Sequence, residues 1–253
     1  MKISLLIMVT MLLLSGCVTQ SQQSGRQVAN DDDRVQALVE LGVGYIRNQQ
    51  YPRAKENLSK ALKIDPDSPI VHNLFGLVFQ LEGEVDSADD FFRRSLKLDP
   101  SFSMARNNYG AFLFEQGRYI EAVEQLELCA EDRLYGSRAQ VFENLAVSYL
   151  KLDRVAEADA ALVRSLQLNP GQARAALELA VLRFDQQSYL EARQLLSRHG
   201  RVKQPSARSL WLGIQLARIF NKSDDEASQA LALKNIFPTS QEYQLYQDSI
   251  RNL

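Results

Sequence analysis

From residue 35 onward the sequence repeats every 34 residues, and a period in the 20–50 residue range confines a chain to stacked repeat architectures. The first copy carries Leu41-Gly42, Tyr45, Ala54, Leu58, Ala61 and Pro66. The second answers with Phe75-Gly76, Phe79, Ala88, Phe92, Ser95 and Pro100, and the third with Tyr109-Gly110, Leu113, Ala122, Leu126 and Cys129. The frame then slips by two residues near 134–138. It resumes with Leu145-Ala146, Tyr149, Ala158, Leu162, Ser165 and Pro170, and a fifth copy has Leu179-Ala180, Ala192 and Leu196. Each copy holds two apolar stretches of helical period separated by a polar turn. A small residue (Gly42, Gly76, Gly110, Ala146, Ala180) and the following Ala (54, 88, 122, 158, 192) let two helices approach closely. Gly83 and Gly117 sit at the turn. Asp-Pro at 65–66 and 99–100 and Asn-Pro at 169–170 end second helices, because a residue before Pro resists the α region.

The bulky-small pair, aromatic, Ala, bulky apolar and Pro at these offsets resemble the tetratricopeptide repeat. That resemblance implies an all-α fold, a right-handed superhelix of about six helix hairpins with a C-terminal capping helix. The expected copies are 35–68, 69–102, 103–136, 139–172 and 173–206, then a degenerate 207–240 and a cap at 241–253. In the sixth copy Leu212-Gly213 and Pro238 fit, while the turn at 221–226 reads as out of frame. One hairpin cannot bury its apolar face alone, and five or six stacked copies can.

The N-terminus reads as an address. Lys2 precedes an apolar run at 3–14, interrupted only by Ser4 and Thr10. The run is too short to cross a bilayer as a helix and suits a secretory signal. Leu14-Ser15-Gly16-Cys17 looks like a bacterial lipobox, which implies cleavage after residue 16 and acylation of Cys17. Acyl chains anchor a protein at about 0.8 kcal/mol per buried CH₂. With Val18 and not Asp following Cys17, lipoprotein sorting by analogy points to the inner leaflet of the outer membrane, facing the periplasm. Residues 17–34 are expected to be the acylated Cys and a flexible tether. Its Gln/Ser-rich stretch cannot bury enough surface to order itself, and it would reach about 20–24 Å.

Chemistry finds little purchase. Two His and two Cys leave scant material for a zinc or redox site. His72 and His199 lack partners at ligand spacing, so no metal and no cofactor are expected. Cys129 takes the place of small residues and reads as a buried hydrophobe. Cys17, once acylated, offers no thiol for a disulfide even in an oxidising compartment. Asp31-Asp32-Asp33 reads as a solvated helix start, and Trp211 as core. The near-balanced charge, 29 basic against 31 acidic residues, argues against a nucleic-acid partner. No Walker loop, nucleophile elbow or HExxH occurs, and an enzyme is not expected.

A binding groove is expected instead, on the concave face lined by the first helices. The frame places Val39, Val43 and Ile46 there from copy one, and Ile70, Asn73, Leu74, Leu77 and Gln80 from copy two. Copy three gives Met104, Asn107, Ala111 and Phe114, copy four Glu143, Val147 and Lys151, and copy five Leu177, Glu178 and Phe184. The N-terminal part of this set is apolar with two Asn, and it lacks a Lys/Arg clamp for a carboxylate terminus. It suits an amphipathic helix or an extended apolar peptide.

Lipobox, Gln-rich tether and about six repeats, with the stretch 107–113 (Asn-Asn-Tyr-Gly-Ala-Phe-Leu) in its context, are similar to the type IV pilus biogenesis/stability lipoprotein family. Its members act as pilotins. The resemblance implies a monomeric outer-membrane lipoprotein that binds the pilus secretin and promotes its localisation and multimerisation, hence pilus assembly. The other reading of the same scaffold is a periplasmic adaptor for peptidoglycan enzymes or for outer-membrane barrel assembly.

Overall fold

In a computed structural model of the chain, residues 21–251 are described, with side chains for 31–200 and 203–251. Among them are thirteen helices and no strand. They pair as six hairpins: α1 Ser21–Arg47 with α2 Tyr51–Ile64, α3 Pro69–Glu82 with α4 Val85–Leu98, and α5 Ser103–Glu115 with α6 Tyr119–Glu131. Then come α7 Arg138–Lys151 with α8 Val155–Leu168, α9 Ala173–Asp185 with α10 Tyr189–Val202, and α11 Ala207–Ile219 with α12 Ser223–Ile236. A single helix α13, Gln241–Arg251, ends the series. The chain divides into two compact units, one up to Phe102 and one from Ser103. The core of the first gathers Val39, Ala54, Leu58, Ala61, Val71, Leu74, Phe75 and Val78. That of the second runs from Val123 through Leu145, Leu162 and Leu179 to Leu216, with a separate cluster of Leu210, Ile214, Ala230 and Leu233 against which Tyr243 and Tyr246 of α13 pack.

Within each hairpin the small residue of the first helix meets the bulky residue sixteen positions later. A Cβ on Gly42, Gly76 or Gly110 would lie within 3.0 Å of the side chain of Leu58, Phe92 or Leu126. The Ala residues 54, 88, 122, 158 and 192 are fully buried from the other side.

Every turn inside a hairpin is closed in one way. The residues at 49, 83, 117, 153, 187 and 221 all have φ between 52° and 80°. The next residue's N–H then reaches back five positions, as in Gln50 to Tyr45, Glu84 to Phe79 and Lys222 to Ala217, at 2.8–2.9 Å. This left-handed C-cap satisfies a carbonyl orphaned at the helix end. Only two of the six residues are Gly. At Gln49, Asp153 and Gln187 the backbone adopts a conformation that L residues disfavour. Each substitution to Gly is therefore expected to raise stability by about 0.5–1 kcal/mol net of glycine's entropy, measured by urea unfolding. No gain at any of the three would refute a cost there.

At the first four of the five links between hairpins the second helix is stopped by an Asx turn. Asp65, Asp99, Asp132 and Asn169 accept, through Oδ1, the N–H two residues on, at 2.8–3.3 Å. The two-residue slip falls in the linker 132–137, where Tyr135 packs against the core.

Three expectations change. The tether does not persist to residue 34: α1 starts at Ser21. Polar composition forbids burial but not elongation of a helix nucleated downstream, which adds one bond per residue fixed. Accordingly, Asp31-Asp32-Asp33 do not start a helix. They lie inside α1, with Asp31 paired to Arg34 at 2.7 Å. Nor is the sixth turn out of frame. α11 and α12 begin 34 residues after α9 and α10, and Asn221 takes the left-handed position. What moved is the small residue, one place early at Gly213, where an added Cβ would collide with the Gln229 amide.

Candidate functional site: the face of the first helices

The open end of each inner hairpin is fastened by a side-chain donor near the end of its second helix. Ser95 Oγ donates to the Pro69 carbonyl at 2.7 Å, Cys129 Sγ to Ser103 at 3.1 Å and Ser165 Oγ to Ala139 at 2.8 Å. His199 Nδ1 lies 2.9 Å from the Ala173 carbonyl, and because a carbonyl only accepts, Nδ1 carries the proton. All four span 26 residues. Ala61 and Leu233 hold the equivalent places in the first and last hairpins and have no proton to give. Ser165→Ala is expected to cost about 1 kcal/mol, measured by chemical denaturation, and a change near zero would strip the fastening of energetic weight.

This accounts for His199 and Cys129 without chemistry. Burial, and next the charge of Asp132, push the Cys129 thiol up to about 11, so it stays protonated and unreactive. Native protein is expected to alkylate at Cys129 at least about a hundredfold more slowly than unfolded protein, since reaction needs opening of a buried site. Equal rates would contradict the burial. His72 is likewise buried, its Nε2 2.9 Å from the Pro66 carbonyl and its ring 5.7 Å from Phe91. Among the described residues no group of three His, Cys, Asp or Glu is placed to hold a metal ion. No described helix is long and apolar enough to cross a membrane.

Of the residues expected in the groove, Cys17 lies outside the described residues. In the first unit Val39 and Leu74 are core and Asn73 has no exposure. This corrects their reading as groove positions. The faces of α1 and α3 that would carry them are turned into the hairpin packing. Val43, Ile46 and Leu77 are half-buried, and the first two pack along the same core. In the second unit Ala111 and Phe114 are half-buried on α5. Asn107 is engaged within the fold, its Oδ1 accepting from Asn144 Nδ2 at 3.2 Å. Asn144 Oδ1 in turn accepts from Gln140 at 3.2 Å, so side-chain amides tie α5 to α7. Of the later copies, Val147 and Leu177 are buried core and Lys151 is exposed.

Glu143 is nearly fully buried. Its carboxylate accepts from the backbone N–H of Ala175 and from Gln140 Nε2, both at 3.1 Å. Ala175 stands in the first turn of α9, whose own N-cap residue Gln172 makes no side-chain cap. A carboxylate from α7 thus caps α9, where the helix dipole favours negative charge.

The groove positions read from the sequence include Met104 but omit its repeat-frame equivalents Gln140, Arg174 and Arg208 near the starts of the later first helices. Arg208 pairs with Glu178 at 2.7 Å, and the Arg174 guanidinium lies over the Phe114 ring, 5.9 Å from its centroid. The signal was the 34-residue recurrence of a cation, 174 to 208, which becomes meaningful only once the neighbouring helix is known.

Comparison with known proteins agrees with the repeat frame. Tetratricopeptide-repeat family models match residues 35–68, 91–124 and 144–204. The type IV pilus assembly protein PilF of Pseudomonas aeruginosa is 40% identical over 240 residues, 92% of this chain and 93% of that one. A solved structure from the functional characterisation of P. aeruginosa PilF aligns with a TM-score of 0.85 at 40% identity, covering 87% of this chain and 99% of the other. The crystal structure of PilW, a type IV pilus biogenesis factor, aligns at 0.72 with 26% identity, covering 84% and 98%. With its hairpins, its frame and nine-tenths of its length shared in this way, the chain belongs to the family of tetratricopeptide-repeat type IV pilus biogenesis proteins.

Proposed function

We propose that the protein is a pilotin. Acylated at Cys17, it sits on the inner leaflet of the outer membrane, binds the secretin subunit of the type IV pilus system as a monomer, and promotes secretin localisation and multimerisation. It acts as a scaffold and not as a catalyst. The observation that carries this reading is the lipobox Leu14-Ser15-Gly16-Cys17 joined to a repeat domain of the pilus biogenesis family. An anchored array of hairpins offers surface on which another protein can be held. Apolar side chains on such a surface contribute about 1.5–3 kcal/mol each when a partner buries them fully.

The test is Cys17→Ser. The first described helix begins at Ser21, downstream of residue 17. The variant is expected to keep its helicity and melting temperature, to leave the outer-membrane fraction, and to lower secretin multimers or shift them to the wrong membrane. A variant that still fractionates with the outer membrane and still carries acyl chains would defeat the anchor. Normal secretin multimers in cells deleted for the whole protein would defeat the pilotin role.

A further inference from the structure

Two cations one repeat apart on the first-helix face of the second unit, Arg174 and Arg208, are treated differently by the fold. Arg208 of α11 looks back thirty residues to Glu178 of α9 and is neutralised. Arg174 of α9 looks back the same thirty residues to Asn144 of α7, which carries no charge and already bonds Asn107 and Gln140. Arg174 is exposed and makes no ion pair among the described residues. Of the carboxylates nearby, Glu143 is buried and spent on the Ala175 N–H and Gln140, and Glu178, one turn further along α9, is taken by Arg208 at 2.7 Å. Arg174 rests instead over Phe114, a contact with the cation that uses none of its N–H donors. One turn before Phe114 on the same helix lies Ala111, small and half-buried. A positive edge thus stands beside a shallow apolar surface, on a helix end fixed by a buried cap.

We propose that the first-helix face of hairpins three to five takes a peptide segment bearing a carboxylate. An Asp or Glu side chain of the partner sits on Arg174, and an adjacent apolar residue lies against Ala111 and Phe114. This deepens the pilotin reading and rests on it for the identity of the partner, but the chemistry can be tested without that partner. Charge complementarity is the argument. The sister cation Arg208 has a carboxylate, Glu178, thirty residues before it, and at the equivalent place before Arg174 stands the uncharged Asn144. A fork of N–H donors recognises a carboxylate with two parallel bonds.

The experiment is panning of phage-displayed random 12-residue peptides on the full chain, purified in detergent, with Arg174→Gln and Arg208→Gln in parallel. Both variants are expected to melt with the wild type, because Glu143 and not Arg174 caps α9. The wild type is expected to enrich peptides with Asp or Glu next to an aromatic or aliphatic residue. That enrichment should vanish on Arg174→Gln and persist on Arg208→Gln. A synthetic enriched peptide should bind Arg174→Gln about tenfold more weakly, the size of a charged hydrogen bond, and should lose as much when its own acid becomes the amide. Failure of the wild type to select acidic peptides, or selection of the same peptides by Arg174→Gln, overturns the proposal. Either result leaves the pilotin reading standing, since that falls only with the secretin and fractionation measurements.

Discussion

Gly110→Leu is expected to destabilise the protein by about 3 kcal/mol or more, the upper end of what overpacking costs a filled core, while Gly44→Ala stabilises it by about 0.5–1 kcal/mol. The two glycines look alike in sequence, both inside first helices. A Cβ on Gly110 would stand 2.6 Å from Leu126 Cγ and 2.8 Å from Cδ2, and Leu126 is fully buried with no room to retreat. A Cβ on Gly44 meets nothing within 4 Å, so alanine there only removes glycine's entropic penalty. Loss at Gly110 is expected to split the unfolding transition, because in a stacked array each hairpin is held chiefly by its neighbours. Urea denaturation followed by circular dichroism reads both changes. Wild-type stability in Gly110→Leu would show that α5 and α6 do not meet at this pair.

A second large loss is expected at Glu143. Glu143→Leu should cost about 3 kcal/mol, because the buried Ala175 N–H loses its acceptor and Gln140 loses one of its two, and a buried polar group left unsatisfied costs about 1–3 kcal/mol. Glu143→Gln keeps an oxygen for the Ala175 N–H and should stay within about 1 kcal/mol of the wild type. The contrast separates the capping role from charge. If the Leu variant is as stable as the Gln variant, the carboxylate does not hold α9. The peptide selection of the Leu variant is also expected to blur, since Arg174 is the residue just before Ala175 and depends on the same helix end.

Those expectations draw on features that the sequence discloses unevenly. The small-large contacts are legible because they require particular residues, glycine or alanine against leucine or phenylalanine, at a fixed offset. The turns are legible only at Gly83 and Gly117. Gln49, Asp153, Gln187 and Asn221 adopt the same left-handed conformation, and nothing in their composition announces it. The sixth hairpin reads as degenerate because its glycine stands one residue early and faces Gln229, although the helices keep their spacing. On the candidate site the frame assigns to a groove several positions that the structure buries. Val39 and Leu74 follow the same helical period as exposed neighbours, and only the packing of the hairpin decides that they point inward. Arg174 escapes because its meaning lies in the contrast between Asn144 and Glu178, thirty residues before each cation.

The fastening of the inner hairpins changes what counts as a conservative replacement in this protein. Serine, cysteine and histidine belong to three chemical classes, and a similarity matrix would score positions 95, 129, 165 and 199 as loosely constrained. Their shared currency is one hydrogen delivered to one carbonyl. Alanine, which such a matrix places close to serine, breaks the bond, whereas cysteine, which it places further off, keeps it. Duplicated hairpins can therefore drift far apart in their letters at this position without any drift in geometry. Copies of a repeat that seem to have lost their kinship here are better compared by what they donate than by what they are.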